Sequence, residues 1–170
     1  MWQHCRWRAV LLLLVVGWLA GCAGNPYQYR EAPYVAPTAP GPTQTLVYVF
    51  RENSFIGGGR KFAVVADDTV MAVLTPGTYS YFVLPSEQHQ IVALISHSPL
   101  MNYALDKRPG STVYLYCRMG YTSGIFMEEI QAPQAKQLMT DFRFTVIDNP
   151  GQKAHRDFRK YYQELYAPKK

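Results

Sequence analysis

Thr112-Val113-Tyr114-Leu115-Tyr116-Cys117-Arg118-Met119 alternates two sets of side chains with a period of two, which predicts a β-strand. Successive side chains of a strand point to opposite faces of the sheet, so one face carries Val113, Leu115, Cys117 and Met119. A thiol on that apolar face is expected to be buried and to behave as a small hydrophobic group. The alternatives for a lone cysteine in an oxidising compartment are redox chemistry and pairing between chains.

Similar apolar runs lie on both sides of this strand, and turn residues separate them. The runs are Leu46–Phe50, Phe62–Ala66, Val70–Leu74, Thr78–Leu84, Gln90–Ser96, Met101–Leu105 and Ile125–Ile130. The breaks carry turn residues such as Pro76-Gly77 and Pro109-Gly110. Short strands at this spacing predict an all-β domain, an antiparallel β-sandwich of about seven to eight strands, with a barrel as the alternative.

Composition agrees with this fold class and limits the function. Thirteen tyrosines and eight phenylalanines favour strands over helices. Seventeen Lys and Arg include Arg6 and Arg8, so the chain after residue 21 carries fifteen basic against twelve acidic side chains. A net charge of +3 is too small to indicate a nucleic-acid partner.

Several strand and turn residues resemble those of a known family. They are Val47-Tyr48-Val49-Phe50-Arg51, Gly57, Gly77-Thr78-Tyr79-Ser80-Tyr81, Leu84-Pro85, His89, Ile91 and Val113-Tyr114-Leu115-Tyr116. Between about Thr45 and Gln131 the chain resembles the bacterial domain-of-unknown-function family 2846. The resemblance implies a small envelope lipoprotein with an immunoglobulin/prealbumin-like sandwich, and it supplies no catalytic residue. The turn Pro85-Ser86-Glu87-Gln88 lacks the glycine that such proteins tend to have.

The first residues predict export and a lipid anchor. Arg6 and Arg8 precede an eleven-residue apolar run, Ala9 to Leu19, which is too short to span a hydrocarbon core of ~30 Å. These features predict a signal peptide over residues 1–21. The stretch Leu19-Ala20-Gly21-Cys22 resembles the lipobox of bacterial lipoproteins, which implies cleavage between Gly21 and Cys22 and acylation of the Cys22 thiol. The alternative is an ordinary signal peptide with a chance cysteine.

The residue after Cys22 is Ala23 and not aspartate. In a Gram-negative cell, resemblance to the sorting rule of such lipoproteins implies transport to the outer membrane, with the chain on its inner leaflet facing the periplasm.

Residues 22–44 are rich in proline and poor in aliphatic side chains, which predicts an extended, solvated tether. At about 3.1 Å per residue, such a tether would hold the domain several tens of Å from the bilayer. Tyr27, Tyr29 and Tyr34 could alternatively grip a partner or lie at the membrane interface.

The C-terminal part departs from the strand pattern. Pro133 followed by residues 134–139 predicts a short helix, and Phe142–Ile147 predicts one more strand, so the sandwich is expected over residues 45–147. Residues 148–170 predict a turn and a basic amphipathic helix. Its candidate partner-binding residues are Arg156, Arg159, Lys160 and Tyr161. The expected partners are anionic headgroups, peptidoglycan or another envelope protein, and the alternative is a helix packed on the sandwich with a solvated basic face.

The sequence contains no catalytic or metal-binding motif. Lys61 ends a glycine-rich stretch but is followed by Phe62 and not by Ser or Thr, and Glu128 and Glu129 are adjacent on a strand and point to opposite faces. We therefore predict a non-enzymatic structural or interaction module with no cofactor. The alternative is a carrier of a lipid or glycan fragment, or a minor envelope enzyme, with a pocket between the sheets. That pocket would be lined by Tyr79, Tyr81, Tyr114 and Tyr116.

Overall fold

This computed structural model describes residues 27–55, 59–95, 98–120, 124–156 and 158–160, which contain ten named strands, one named helix and a helical stretch that begins at residue 156. The strands are β1 Tyr29–Glu31, β2 Gln44–Arg51, β3 Phe62–Ala66, β4 Thr69–Leu74, β5 Thr78–Pro85, β6 His89–Ile95, β7 Ser98–Leu105, β8 Ser111–Gly120, β9 Gly124–Glu129 and β10 Arg143–Ile147. The helix α1 spans Ala132–Asp141, with Pro133 in its first turn, where a missing backbone N–H costs nothing.

The strands form two sheets, which confirms an all-β sandwich. One sheet has the order β1-β10-β5-β2-β8-β9, and the other has the order β4-β3-β6-β7. Most neighbours are antiparallel, but β2 pairs with β8 and β10 pairs with β5 in parallel. The prediction of an antiparallel sandwich is therefore wrong at these two pairs. Of the ten strands, β10 corresponds to the additional strand predicted over Phe142–Ile147, whereas β1 was not predicted.

The space between the sheets is filled by the apolar sides of the alternating strands. The inward side chains from the long strands include Val47, Phe62, Phe82, Ile91 and Leu115, and all of them are buried. Cys117 belongs to the same cluster and is fully buried, as its place on the Val113 face predicted. Burial of this apolar surface is the main term that holds the two sheets together.

The outer face of each sheet is also covered. On the six-stranded sheet, α1 contributes Ala135 and the half-buried Leu138 and Met139 to a cluster with the sheet's aromatic side chains. On the four-stranded sheet, Ala154 and Phe158 of the C-terminal segment and Tyr27 of the N-terminal segment pack on the strands. Tyr27 and the segment that contains Ala154 and Phe158 therefore both pack on the second sheet.

The two ends of the sandwich carry different connections. Strand β5 ends at Pro85, β6 begins at His89, and β10 runs parallel to β5, so the turns at 67–68, 85–88 and 148–152 share what we call the Pro85 end. The connections at 52–61 and 75–77 share the opposite end, which we call the Gly77 end. Gly77 has φ +66°, its N–H bonds to the Arg51 carbonyl, and its carbonyl accepts the N–H of Arg143.

Candidate functional site

Tyr27 fixes the N-terminal segment to the domain. Its side chain is 3% exposed, and its hydroxyl accepts a hydrogen bond of 2.9 Å from the backbone N–H of His155. Burial raises the pKa of Tyr27, although the hydrogen bond from His155 acts in the opposite direction. The phenol therefore stays neutral and joins the two terminal segments.

The residues that follow Tyr27 form the edge strand β1. Tyr29 pairs with Ile147 and Glu31 with Thr145, and the N–H of Ala32 bonds to the Phe144 carbonyl at 3.1 Å. The expectation of a solvated tether is therefore wrong from residue 27 to residue 32. Long-range pairing with β10 orders a segment whose composition alone could not bury enough surface.

Tyr34 also packs on the domain. Its hydroxyl lies 2.9 Å from the hydroxyl of Tyr48, and its ring lies 5.5 Å from the ring of Phe144. The tyrosines of the proline-rich segment thus pack on the chain's own sheets, and the sequence did not predict these contacts.

The C-terminal segment continues from β10 along the edge strand β4. The Ala154 N–H bonds to the Asp68 carbonyl at 2.7 Å, and the Lys153 ammonium bonds to the Asp68 carboxylate at 2.6 Å. Burial acts to raise the pKa of Asp68, but the hydrogen bonds from Lys153 and Thr69 outweigh it and lower the pKa. Asp68 therefore stays ionised and holds the start of the segment.

Helical backbone begins at Arg156 and includes residues 158–160, with the Arg159 N–H bonded to the His155 carbonyl at 3.0 Å. Phe158 is 1% exposed and packs on the sheet, as its position on the apolar side of the predicted helix required. Arg156 and Lys160 are exposed, and Arg159 is half-buried. We call Lys153, Arg156, Arg159 and Lys160 the basic face.

The structure brings together three of the predicted partner-binding residues, Arg156, Arg159 and Lys160, on this face. The buried Nε of Arg159 has no hydrogen-bond partner in the described part of the chain. Tyr161 and the predicted cleavage and lipidation residues, Gly21 and Cys22, lie outside the described residues.

Four tyrosines expected to line a pocket between the sheets lie elsewhere. Tyr79, Tyr81, Tyr114 and Tyr116 all belong to the aromatic cluster on the outer face of the six-stranded sheet. They pair across the strands with Tyr48 and Phe50, so their side chains point to the same outer face, away from the space between the sheets. On that face, aromatic rings of neighbouring strands stack on one another. Burial raises the pKa of Tyr79 to about 12. The pocket assigned to these side chains between the sheets is therefore wrong.

The described surface includes a crevice beside β10 and a pocket at the Pro85 end. A crevice of about 230 Å³ lies beside β10 and is lined mainly by apolar side chains such as Val70, Phe144 and Val146. A more open pocket of about 530 Å³ lies at the Pro85 end, between the prolines 42, 85 and 109 and the side chains of Glu87 and Lys107. Ser86 lines it with a buried hydroxyl that has no hydrogen-bond partner within the described ranges.

The buried Arg51 side chain connects the two sheets. The Arg51 guanidinium donates to the carbonyls of Leu74 and Arg60, with its Cζ 3.7 Å from the centre of the Phe62 ring. Burial lowers the pKa of Arg51 to about 10, so it remains charged at neutral pH. These contacts join β2 to the second sheet at the Gly77 end, which is a structural role.

His89 makes a similar connection between turns at the Pro85 end. Its Nε2 lies 2.9 Å from the Pro85 carbonyl and its Nδ1 lies 2.8 Å from the carboxylate of Asp67. Because a carbonyl accepts only, Nε2 carries a proton. His89 therefore connects the β5–β6 turn to the β3–β4 turn, whereas in the sequence it stood only among the residues of the family resemblance.

Within the described ranges, no three His, Cys, Asp or Glu side chains are arranged to hold a metal ion. No helix in the same ranges has the length and apolar character needed to cross a membrane. Comparisons of the chain with protein-family models, with curated proteins and with solved structures found no match.

Proposed function

We propose that this chain is a lipid-anchored bacterial envelope protein that presents a non-enzymatic β-sandwich as a structural or interaction module. The observation that carries the proposal is the stretch from Arg6 to Cys22, in which basic residues, apolar run, small residues and cysteine follow in the order of a lipobox. On this proposal, Cys22 is acylated and the chain lies on the periplasmic side of the outer membrane.

The way the N-terminal segment joins the fold supports this assignment. Tyr27 is locked to the Pro85 end of the sandwich through His155, so an anchor on Cys22 would hold that end toward the membrane. The Gly77 end would then face away and present its loops, where the Phe55 side chain is 100% exposed. A large apolar side chain at a loop tip is available for contact with another envelope component.

We also propose membership of the domain-of-unknown-function family 2846 and an immunoglobulin/prealbumin-like type of sandwich. The residues that carry the resemblance support this because they lie mainly on β5, β2 and β8, three adjacent strands of one sheet. They are packing and turn residues, so the family assignment adds a fold type and an envelope location without adding chemistry.

The test compares the full chain with Cys22→Ala in a Gram-negative host, with Cys5→Ala as a matched control. Wild type and Cys5→Ala are expected in the outer membrane, with the mass of residues 22–170 plus a diacylglycerol and an acyl chain. Cys22→Ala is expected to lose both the added mass and the membrane fraction. If Cys22→Ala has the same mass change and fraction as wild type, the lipoprotein proposal is wrong. Crosslinking the wild type in place then identifies the envelope component that it holds.

A second candidate function, binding of a small glycan or lipid fragment, is favoured by the pocket at the Pro85 end. The supporting observation is the buried hydroxyl of Ser86. A buried polar group without a hydrogen-bond partner lowers the stability of the fold unless a ligand or water bonds to it. Glycan fragments added to the isotope-labelled protein would shift the NMR signals of Ser86 and Lys107. The variant Thr43→Trp, which fills the pocket, would abolish those shifts. Unchanged signals would exclude this function.

A further inference from the structure

The pocket at the Pro85 end is lined by three segments that the fold holds in place. The Ser86 N–H bonds to the Thr43 carbonyl at 2.8 Å, which joins the β5–β6 turn to the segment before β2. The loop after β7 is held by the Thr45 hydroxyl, which donates to the Arg108 carbonyl at 2.8 Å. The three prolines of the lining restrict the backbone further, because each fixes its own φ. The pocket is therefore largely preformed, so a ligand loses little affinity to the ordering of its surroundings.

Ser86 brings to the pocket a polar group that the fold leaves without a partner. The residue is 6% exposed, and its hydroxyl has no hydrogen-bond partner among the residues that the structure describes. A hydroxyl can donate one hydrogen bond and accept two. A buried hydroxyl that makes none of them destabilises the fold, whereas a ligand in the pocket can bond to it directly or through one water.

Two opposite charges also line the pocket. Glu87 and Lys107 are both exposed there, and within the described ranges neither forms an ion pair with the other or with a third side chain. Of the neighbouring charges, Arg108 is paired with Glu129 at 2.6 Å, and Asp106 does not line the pocket. An ammonium attracts a carboxylate and a carboxylate attracts an ammonium, so a ligand that carries both charges complements this lining. A neutral ligand would complement neither charge.

We propose that this pocket binds a small zwitterionic ligand, an amino acid or short peptide with a free amine and a free carboxylate. The ligand carboxylate lies toward Lys107, its ammonium lies toward Glu87, and one of its polar atoms bonds to the Ser86 hydroxyl. The proline rings offer apolar surface to a small aliphatic side chain. The volume of about 530 Å³ is typical of small-ligand pockets. The proposal shares its pocket with the second candidate function but not its ligand class.

The test is an NMR titration of the isotope-labelled chain from Cys22 to Lys170 with Cys22→Ala, which contains every described residue. The probes are alanyl-alanine, its N-acetyl form, its C-terminal amide and the peptide with both modifications. Only alanyl-alanine carries both charges, and it is expected to shift the signals of Ser86, Glu87 and Lys107 most. An exposed ion pair contributes about threefold in affinity, so each blocked end is expected to weaken binding by about threefold and both ends by about tenfold.

Three variants assign the roles of the side chains. Lys107→Gln is expected to remove the preference for the free carboxylate, and Glu87→Gln is expected to remove the preference for the free amine. The matched control Lys136→Gln removes an exposed charge from α1 and is expected to leave all four affinities unchanged. Ser86→Ala is expected to weaken alanyl-alanine binding by about fivefold without lowering the Tm of the free protein, because it removes a buried hydroxyl that has no partner there.

Several outcomes would overturn this inference. They are unchanged signals with all four peptides, equal affinities for the four, equal effects of Lys107→Gln and Lys136→Gln, and unchanged alanyl-alanine binding by Ser86→Ala. Signals that shift with a neutral glycan fragment and with none of the peptides would overturn the zwitterionic ligand and support the second candidate function. Shifts with the peptides alone would do the reverse. Because the assay contains no acylated protein, its result is also independent of the lipoprotein proposal.

Discussion

Tyr27→Ala tests whether the N-terminal segment is part of the fold. The side chain is 3% exposed and shares a cluster with Val65, Val92 and Phe158. Replacing a buried aromatic side chain by alanine costs about 3–5 kcal/mol of unfolding free energy, because the apolar contacts are lost and a cavity remains. The hydrogen bond to the His155 N–H accounts for about 1 kcal/mol of that loss. Tyr27→Phe, which keeps the ring, is therefore expected to lose only the latter amount.

The assay is urea unfolding of the chain from Cys22 to Lys170. Trp2, Trp7 and Trp18 all precede Cys22, so tyrosine fluorescence and circular dichroism serve as probes. In a domain of this size, a loss of about 3 kcal/mol lowers the Tm by about 6 °C or more. Val35→Ala, at a side chain that is 67% exposed, is the control, with an expected effect below about 0.5 kcal/mol. If Tyr27→Ala has as little effect as the control, the segment is a solvated spacer and the reasoning is refuted.

Two further predictions concern Cys117 and Gly77. Burial raises the pKa of Cys117 to about 12, against the opposing effect of Arg51. In a chain from Cys22 to Lys170 that carries Cys22→Ala, the folded protein should therefore not react with thiol reagents that label the urea-unfolded chain. The unfolded chain loses the Cys117 proton near pH 9.0, whereas the folded chain keeps it until about pH 12, so the free energy of unfolding falls between these two pH values. Cys117→Val should remove that part of the alkaline destabilisation. Labelling of native protein at neutral pH would contradict the burial. Gly77→Ala should cost about 1–2 kcal/mol, because an alanine is strained at φ +66° and its Cβ would lie 3.2 Å from Asn53 Cγ. An unchanged urea midpoint would show that the turn relaxes.

The main strands could be predicted because local alternation and turn residues specify them. Phe62–Ala66 was predicted with the bounds that β3 has, and the other apolar runs match β2 and β4 to β9 within a few residues. The helix after Pro133 and the strand β10 were also located correctly. Strand partners were not predictable, since parallel pairing of β2 with β8 depends on residues more than sixty positions apart.

The candidate site was only partly accessible from sequence. The basic side chains and the apolar Phe158 follow from helical spacing, which is a local signal. The burial of Tyr27 was not predicted because residues 22–44 are rich in proline and poor in aliphatic side chains, and composition cannot show that a single ring packs in a cluster with distant residues. The alternation of Tyr27 and Tyr29 was the available signal, and it was too short to predict a strand. The faces of Tyr79 and Tyr114 were ambiguous because both faces of the six-stranded sheet are covered.

The pairing of β1 with β10 determines when the protein can finish folding. Tyr29 has its strand partner at Ile147, and the Tyr27 hydroxyl bonds to His155, so residues 27–29 can pack only after residues 147–155 have been synthesised. If the chain is exported as proposed, the N-terminal segment would therefore remain unfolded while the intermediate strands cross the membrane. Cys22 would be accessible to the modifying enzymes throughout that interval, and Tyr27 would close against the domain only afterwards. If Cys22 is acylated as proposed, the order of synthesis therefore lets acylation come before Tyr27 packs on the domain.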